Sequence, residues 1–137
     1  MMQEPQRYEP SAGTLAAVHV VYALHSLSIL IGLFAFGASI VGAFIFSWPS
    51  ILAVVLNYIF RGDARGTYLE THFSWQIRTF WLAALYLVLV FMVGMPLAFV
   101  GVGFFLIPMG CLVLGIWVAW RIAYGWIRLF GHAPLPL

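Results

Sequence analysis

Histidine, glutamine, tyrosine and arginine side chains punctuate an otherwise apolar chain, and they recur in three helical patterns. His72, Gln76 and Thr79 follow i, i+4, i+7 spacing, which on a helix makes one polar ridge. Glu70, Ser74 and Arg78 follow i, i+4, i+8 on roughly the opposite face, with the acid and the arginine two turns apart. His19, Tyr22 and Ser26 share a third ridge, with His25 to one side of it. Ionisable groups within apolar runs are costly in a bilayer and point to function by default. Their structural use is the competing account: a neutral histidine bonds a neighbouring helix, and an arginine near an interface snorkels to headgroups.

The chemistry open to such groups is limited. A haem needs two axial ligands facing one another at similar depth, and His19 or His25 opposite His72 is the pairing that approaches this. A quinone would use the same histidine and tyrosine groups together with the tryptophans. Haem or quinone binding through His19, His25 and His72 is therefore the alternative reading, as part of a redox or transport component. No cofactor or metal follows from the spacing itself. The chain has no nucleophile elbow, no phosphate-cradling glycine loop and no HExxH helix, and Gly101-Val-Gly103 lies inside an apolar run instead of after a strand. Arg61-Gly62-Asp63 reads as a turn. No catalytic set emerges, so the expectation is a protein that is not an enzyme. The single cysteine, Cys111, excludes an intrachain disulfide and a cysteine-based metal cluster. A formal net charge of +2 is too small to suggest a nucleic-acid groove.

Composition identifies the solvent of the elements that carry these groups. The 137 residues are 64% hydrophobic and 7% charged, with a mean hydropathy of +1.04, far from the globular balance. Leu15 to Phe60 contains no charged residue and is about twice the ~20 residues one span requires. Two spans fit, near residues 15–36 and 39–60, with a turn at Phe36, Gly37, Ala38 and Ser39. Trp48-Pro49-Ser50 predicts a kink within the second, because proline removes a backbone donor. A polar loop over 61–71 precedes a third span near 72–94, which Gly94-Met95-Pro96 ends. The last span, near 97–127, is interrupted by Gly101, Gly103 and Pro108. Tails over 1–14 and 131–137 flank this single transmembrane domain. The apolar run after the first tail exceeds a signal-peptide core, which predicts a retained anchor. The expected fold is an all-α integral membrane bundle of four transmembrane helices in two in-out-in hairpins. The alternative has three spans, with Leu15 to Phe46 as one helix and Ile51 to Phe60 re-entrant.

With four spans, all six arginines and both termini fall on one side, which the positive-inside rule makes cytoplasmic. Trp75, Trp81, Trp117, Trp120 and Trp126 lie near the same helix ends, as an aromatic belt would, whereas Trp48 does not. Glu70, His72, Gln76, Arg78 and Arg121 then form a cytoplasmic-side polar cluster suited to membrane lipids or a membrane-protein partner. Cys111, Gly115, Ala119 and Ala123, at strict four-residue spacing, offer a stripe for helix packing or homo-oligomerisation. A shorter stripe of Ala35, Ala38, Ser39 and Gly42 straddles the first turn.

The segment Tyr68-Leu-Glu-Thr-His-Phe-Ser-Trp-Gln-Ile-Arg-Thr-Phe-Trp81, with Arg61-Gly-Asp-Ala-Arg-Gly before it and Trp117-Val-Ala-Trp-Arg-Ile-Ala-Tyr-Gly-Trp126 after it, resembles a family of small uncharacterised bacterial inner-membrane proteins. That family is similar, more remotely, to four-helix chloroplast import subunits. The resemblance covers most of the chain after residue 15. Its acid, histidine and glutamine before the third helix match Glu70, His72 and Gln76, and an arginine near the end of its last helix matches Arg121. It implies a helical fold in a bacterial plasma membrane and supplies no activity.

Overall fold

The computed structural model describes residues 9–34 and 40–136, and among them every regular element is a helix. The first, α1 (Ala12–Phe34), starts where the Ser11 hydroxyl accepts a hydrogen bond from the Thr14 amide, serving one of the unpaired donors of the first turn. The next two, α2 (Ile40–Phe46) and α3 (Trp48–Phe60), are bent by 51° across a break at Ser47. Pro49 lies in the first turn of α3, where its missing N–H costs least, so the kink expected at this proline is realised as a break between two helices. The turn expected at Phe36 to Ser39, and most of the short stripe around it, lie outside the described residues. Both α2 and α3 pack against α1, so a single helix from Leu15 to Phe46 does not form.

The loop after α3 turns at Gly66, whose φ of 78° favours glycine. It leads into α4 (Leu69–Ala98), whose 30 residues reach about 45 Å, well beyond the ~30 Å hydrocarbon core. This helix runs through Gly94 and Pro96, where a stop was expected. Pro96 falls in its last turn, and Gly94 is the point where α5 (Gly103–Phe130) crosses closely. A Cβ at Gly103 would collide with the Gly94 carbonyl, so glycine at 103 permits the tight return. Gly101, at φ 85°, supplies the left-handed residue of that turn. Pro108 is accommodated inside α5 without ending it.

Three helices, α1, α4 and α5, are long and apolar enough to cross a membrane, and the α2–α3 pair adds a fourth if the bent pair acts as one span. Large apolar side chains such as Phe99, Phe104 and Ile127 point outward, as they do when lipid is the solvent. The core between the helices is built from Val18, Tyr22, Phe44, Phe73, Val118 and Ile122. The buried positions of α5 include Cys111, Leu114, Gly115, Val118, Ile122, Gly125 and Leu129. Ala119 is only partly covered and Ala123 is exposed. A strict four-residue step overshoots the 3.6-residue turn by about 40° each time, so the expected stripe rotates out of the interface after Gly115. Gly115 itself receives Ile40 of α2 at 3.1 Å from where a Cβ would sit.

Candidate functional site

The polar residues converge at the end of the bundle that carries both the α3–α4 loop and the C-terminal segment. α4 presents His72, Gln76 and Thr79 inward, all three with no exposed surface, so the i, i+4, i+7 ridge faces the core. Tyr22 of α1, also fully buried, meets this ridge with its hydroxyl 2.9 Å from His72 Nδ1. The other ring nitrogen, Nε2, lies 2.8 Å from the Ala133 carbonyl. A carbonyl only accepts, so Nε2 carries the proton of the neutral ring and Nδ1 accepts from Tyr22. His72 thereby joins α1, α4 and the segment beyond α5, with both nitrogens engaged.

One turn along, α4 and α5 are locked by a closed cycle of hydrogen bonds. The Trp75 indole N–H donates to the Arg121 carbonyl at 3.0 Å, Arg121 Nε donates to Thr79 Oγ1 at 2.7 Å, and the Thr79 hydroxyl donates back to the Trp75 carbonyl at 2.7 Å. The Arg121 guanidinium stacks 3.6 Å from the Trp75 ring and lies 5.1 Å from that of Trp117, a cation held by two π faces. Its Nη2 is buried with no hydrogen-bond partner, and among the described residues it forms no ion pair. The charge near enough to act on it is the like charge of Arg78, which is exposed.

Of the residues grouped by the sequence, His72, Gln76 and Arg121 therefore enter one neighbourhood and Arg78 stands at its edge. Glu70 points to solvent and accepts from the Gly66 amide at 3.1 Å, closing the loop instead of facing an arginine. His19 is half-buried and accepts from the Trp126 indole at 3.1 Å. His25 lies deeper, its Nδ1 3.3 Å from the Ser50 hydroxyl and its ring 4.9 Å from that of Phe44. The three histidines are thus separately engaged. An axial ligand from His72 would have to give up either Tyr22 or Ala133. Among the described residues no three His, Cys, Asp or Glu side chains group as metal ligands.

Several members of the site had weaker signals. Trp75, read as part of an aromatic belt, turns inward, while Trp81 and Trp120 remain more than half exposed. Gly125 lets Tyr22 and Trp75 meet beside α5, since a Cβ there would lie 2.5 Å from the Tyr22 hydroxyl. The segment after α5, expected as a C-terminal tail, folds back onto the bundle. Leu135 is 4% exposed and its amide donates to Thr71 Oγ1 at 2.9 Å, while Arg128 Nη2 donates to the Pro134 carbonyl at 3.0 Å. Asn57, the only asparagine in the chain, is fully buried on α3, and among the described residues both of its amide atoms lack partners, as do both of Gln76. A lone asparagine between apolar residues was the available signal.

No family model, curated protein or solved structure matches this chain.

Proposed function

We propose that this is a non-enzymatic polytopic subunit of a bacterial inner membrane, of accessory or assembly type, that engages an anionic lipid or a membrane partner through the cluster around Arg121. In this reading α2 and α3 together make a fourth span, and the loop, the N-terminus and the C-terminus are cytoplasmic. The arginines support that orientation, since they collect at the loop and at the end of α5.

One observation carries the reading. The hydrogen-bonding capacity of His72, Trp75 and Thr79 is spent within the fold, whereas Arg121 retains a positive charge with, among the described residues, no carboxylate against it and a second arginine nearby. Histidine and tyrosine serve architecture here, and the charge of the partly exposed Arg121 side chain is what is left to meet something outside. An anionic group is what two neighbouring arginines select.

Copurification in mild detergent tests this. The expected result is a reproducible membrane protein or anionic lipid that diminishes in Arg78→Gln and Arg121→Gln. A chain that runs alone, with lipid retention unchanged by both substitutions, overturns it. Reporter fusions at Gly66, Ser39 and the C-terminus test the topology: four spans require Gly66 and the C-terminus on one side and Ser39 on the other.

A further inference from the structure

An apolar groove of about 720 Å³ runs between α4 and α5, lined among others by Tyr86, Val90, Val93, Leu106, Gly110 and Trp117. Its floor is shallow because Gly110 has no side chain where Val90 packs: a Cβ there would meet Val90 at 2.9 Å. The groove begins at Trp117, whose ring lies 5.1 Å from the Arg121 guanidinium and packs edge-on to Tyr86 at 5.9 Å. Arg121, Trp117, Gly110 and Leu106 descend one side of α5 at helical spacing, and Tyr86, Val90 and Val93 share the facing side of α4, with Arg78 about 80° round the helix from Tyr86, at the edge of that face. Charge stands at the head of the groove, and aliphatic and aromatic side chains line its length.

The dimensions match one leaflet. Trp117 to Leu106 covers about 16 Å at 1.5 Å per residue, close to half of the ~30 Å hydrocarbon core. A groove confined to that depth, open along its side and capped by two arginines, has the form of a seat for one lipid molecule. An apolar peptide helix from a partner would meet the same walls, but it would bring no anion to the partly exposed Arg121 and the exposed Arg78.

The geometry points to a binding seat for an anionic phospholipid, its phosphate between Arg78 and Arg121 and one acyl chain in the α4–α5 groove. This rests on the reading that the Arg121 cluster faces outward, and it specifies the ligand. The partly exposed Arg121 side chain offers its charge to the phosphate while its plane stays stacked on Trp75 and Nη2 stays buried, and the exposed Arg78 adds the second charge. The acyl chain excludes bulk lipid from the line between Tyr86 and Trp117. Both parts of the molecule are needed, which distinguishes the seat from a surface that attracts headgroups alone.

The test reconstitutes the full chain in nanodiscs of equal phosphatidylglycerol and phosphatidylcholine, extracts it into mild detergent and measures retained lipid by native mass spectrometry. Phosphatidylglycerol should be enriched in the bound population. Arg78→Gln, at an exposed position that does not disturb the fold, should reduce that enrichment roughly tenfold, the scale of one lost charge-assisted hydrogen bond. Val113→Trp, which fills the groove from an exposed position, should lower retention with both arginines in place. Dihexanoyl phosphatidylglycerol, with the same headgroup and short chains, should compete poorly. Equal retention of the two lipids, or enrichment unaltered by Arg78→Gln or by Val113→Trp, overturns the seat. If a protein then copurifies in an arginine-dependent way, the broader reading stands without it; if none does, both fail.

Discussion

Gly125→Ala puts a methyl carbon 2.5 Å from the Tyr22 hydroxyl oxygen, 3.0 Å from Tyr22 Cε1 and 3.1 Å from Trp75 Nε1. Ordinary contact begins at 3.4 Å, so the phenol must retreat by about 1 Å, and Tyr22 is fully buried, where close packing resists such a shift. Overpacking of this kind costs about 1–3 kcal/mol. Retreat also stretches the 2.9 Å bond to His72 beyond hydrogen-bonding range, forfeiting about 0.6 kcal/mol and at most about 1.7 by the standard of membrane helices. Replacing a helical glycine returns up to about 1 kcal/mol, which leaves a net loss of about 1–3 kcal/mol. Reversible unfolding in mixed micelles reads the difference. Gly13→Ala is the control, because a Cβ there meets nothing within 4 Å and should be neutral or slightly stabilising. In a Tyr22→Phe background the clashing oxygen is gone, so Gly125→Ala should cost measurably less, a coupling expected only of residues in contact. Equal stability of Gly125→Ala and Gly13→Ala, or strict additivity with Tyr22→Phe, refutes the packing of Tyr22 against α5.

Leu135→Ala should destabilise the protein by about 2 kcal/mol and make the C-terminal segment a better carboxypeptidase substrate; unchanged digestion would mean the segment is not docked. Asn57→Leu removes two buried, unpartnered amide atoms at similar volume, so stability should hold or rise by up to about 3 kcal/mol, and a loss in the same unfolding assay would reveal a hydrogen-bonding occupant. Burial, and secondarily the Glu9 carboxylate, raise the Tyr68 phenol above the ordinary value of 10.0. Because the folded value is the higher one, this group's share of stability is present below about pH 10 and lost as pH rises through the folded value. Alkaline absorbance titration against Tyr68→Phe isolates the transition, and an ordinary midpoint would refute the shift.

The amino-acid sequence by itself determined the solvent and the element type. A chain with long uncharged runs must satisfy its backbone internally, and helices are the means available at this spacing. It also placed His72, Gln76 and Thr79 on one ridge, because helical periodicity is a local property. The tertiary structure decided which way that ridge faces, and that Glu70 belongs to the loop while Arg121 stands without an acid among the described residues. Those outcomes depend on which helix lies opposite, and residue spacing within one helix carries no information about its neighbour. The α5 stripe shows the same limit: four-residue spacing suggested a continuous small face, but the helix turns Ala123 outward and brings Gly125 against Tyr22. The C-terminal segment was illegible for a related reason. Its hold on the bundle is a carbonyl bonded by His72 and a buried leucine, and a backbone acceptor has no signature in residue type. The proline signal at Trp48-Pro49-Ser50 marks a local break, whereas Gly101, expected as an interruption inside the last span, is the turn residue that precedes α5. Whether Gly94 and Pro96 ended a helix was settled by the close crossing of α5, a contact between segments that only folding brings together.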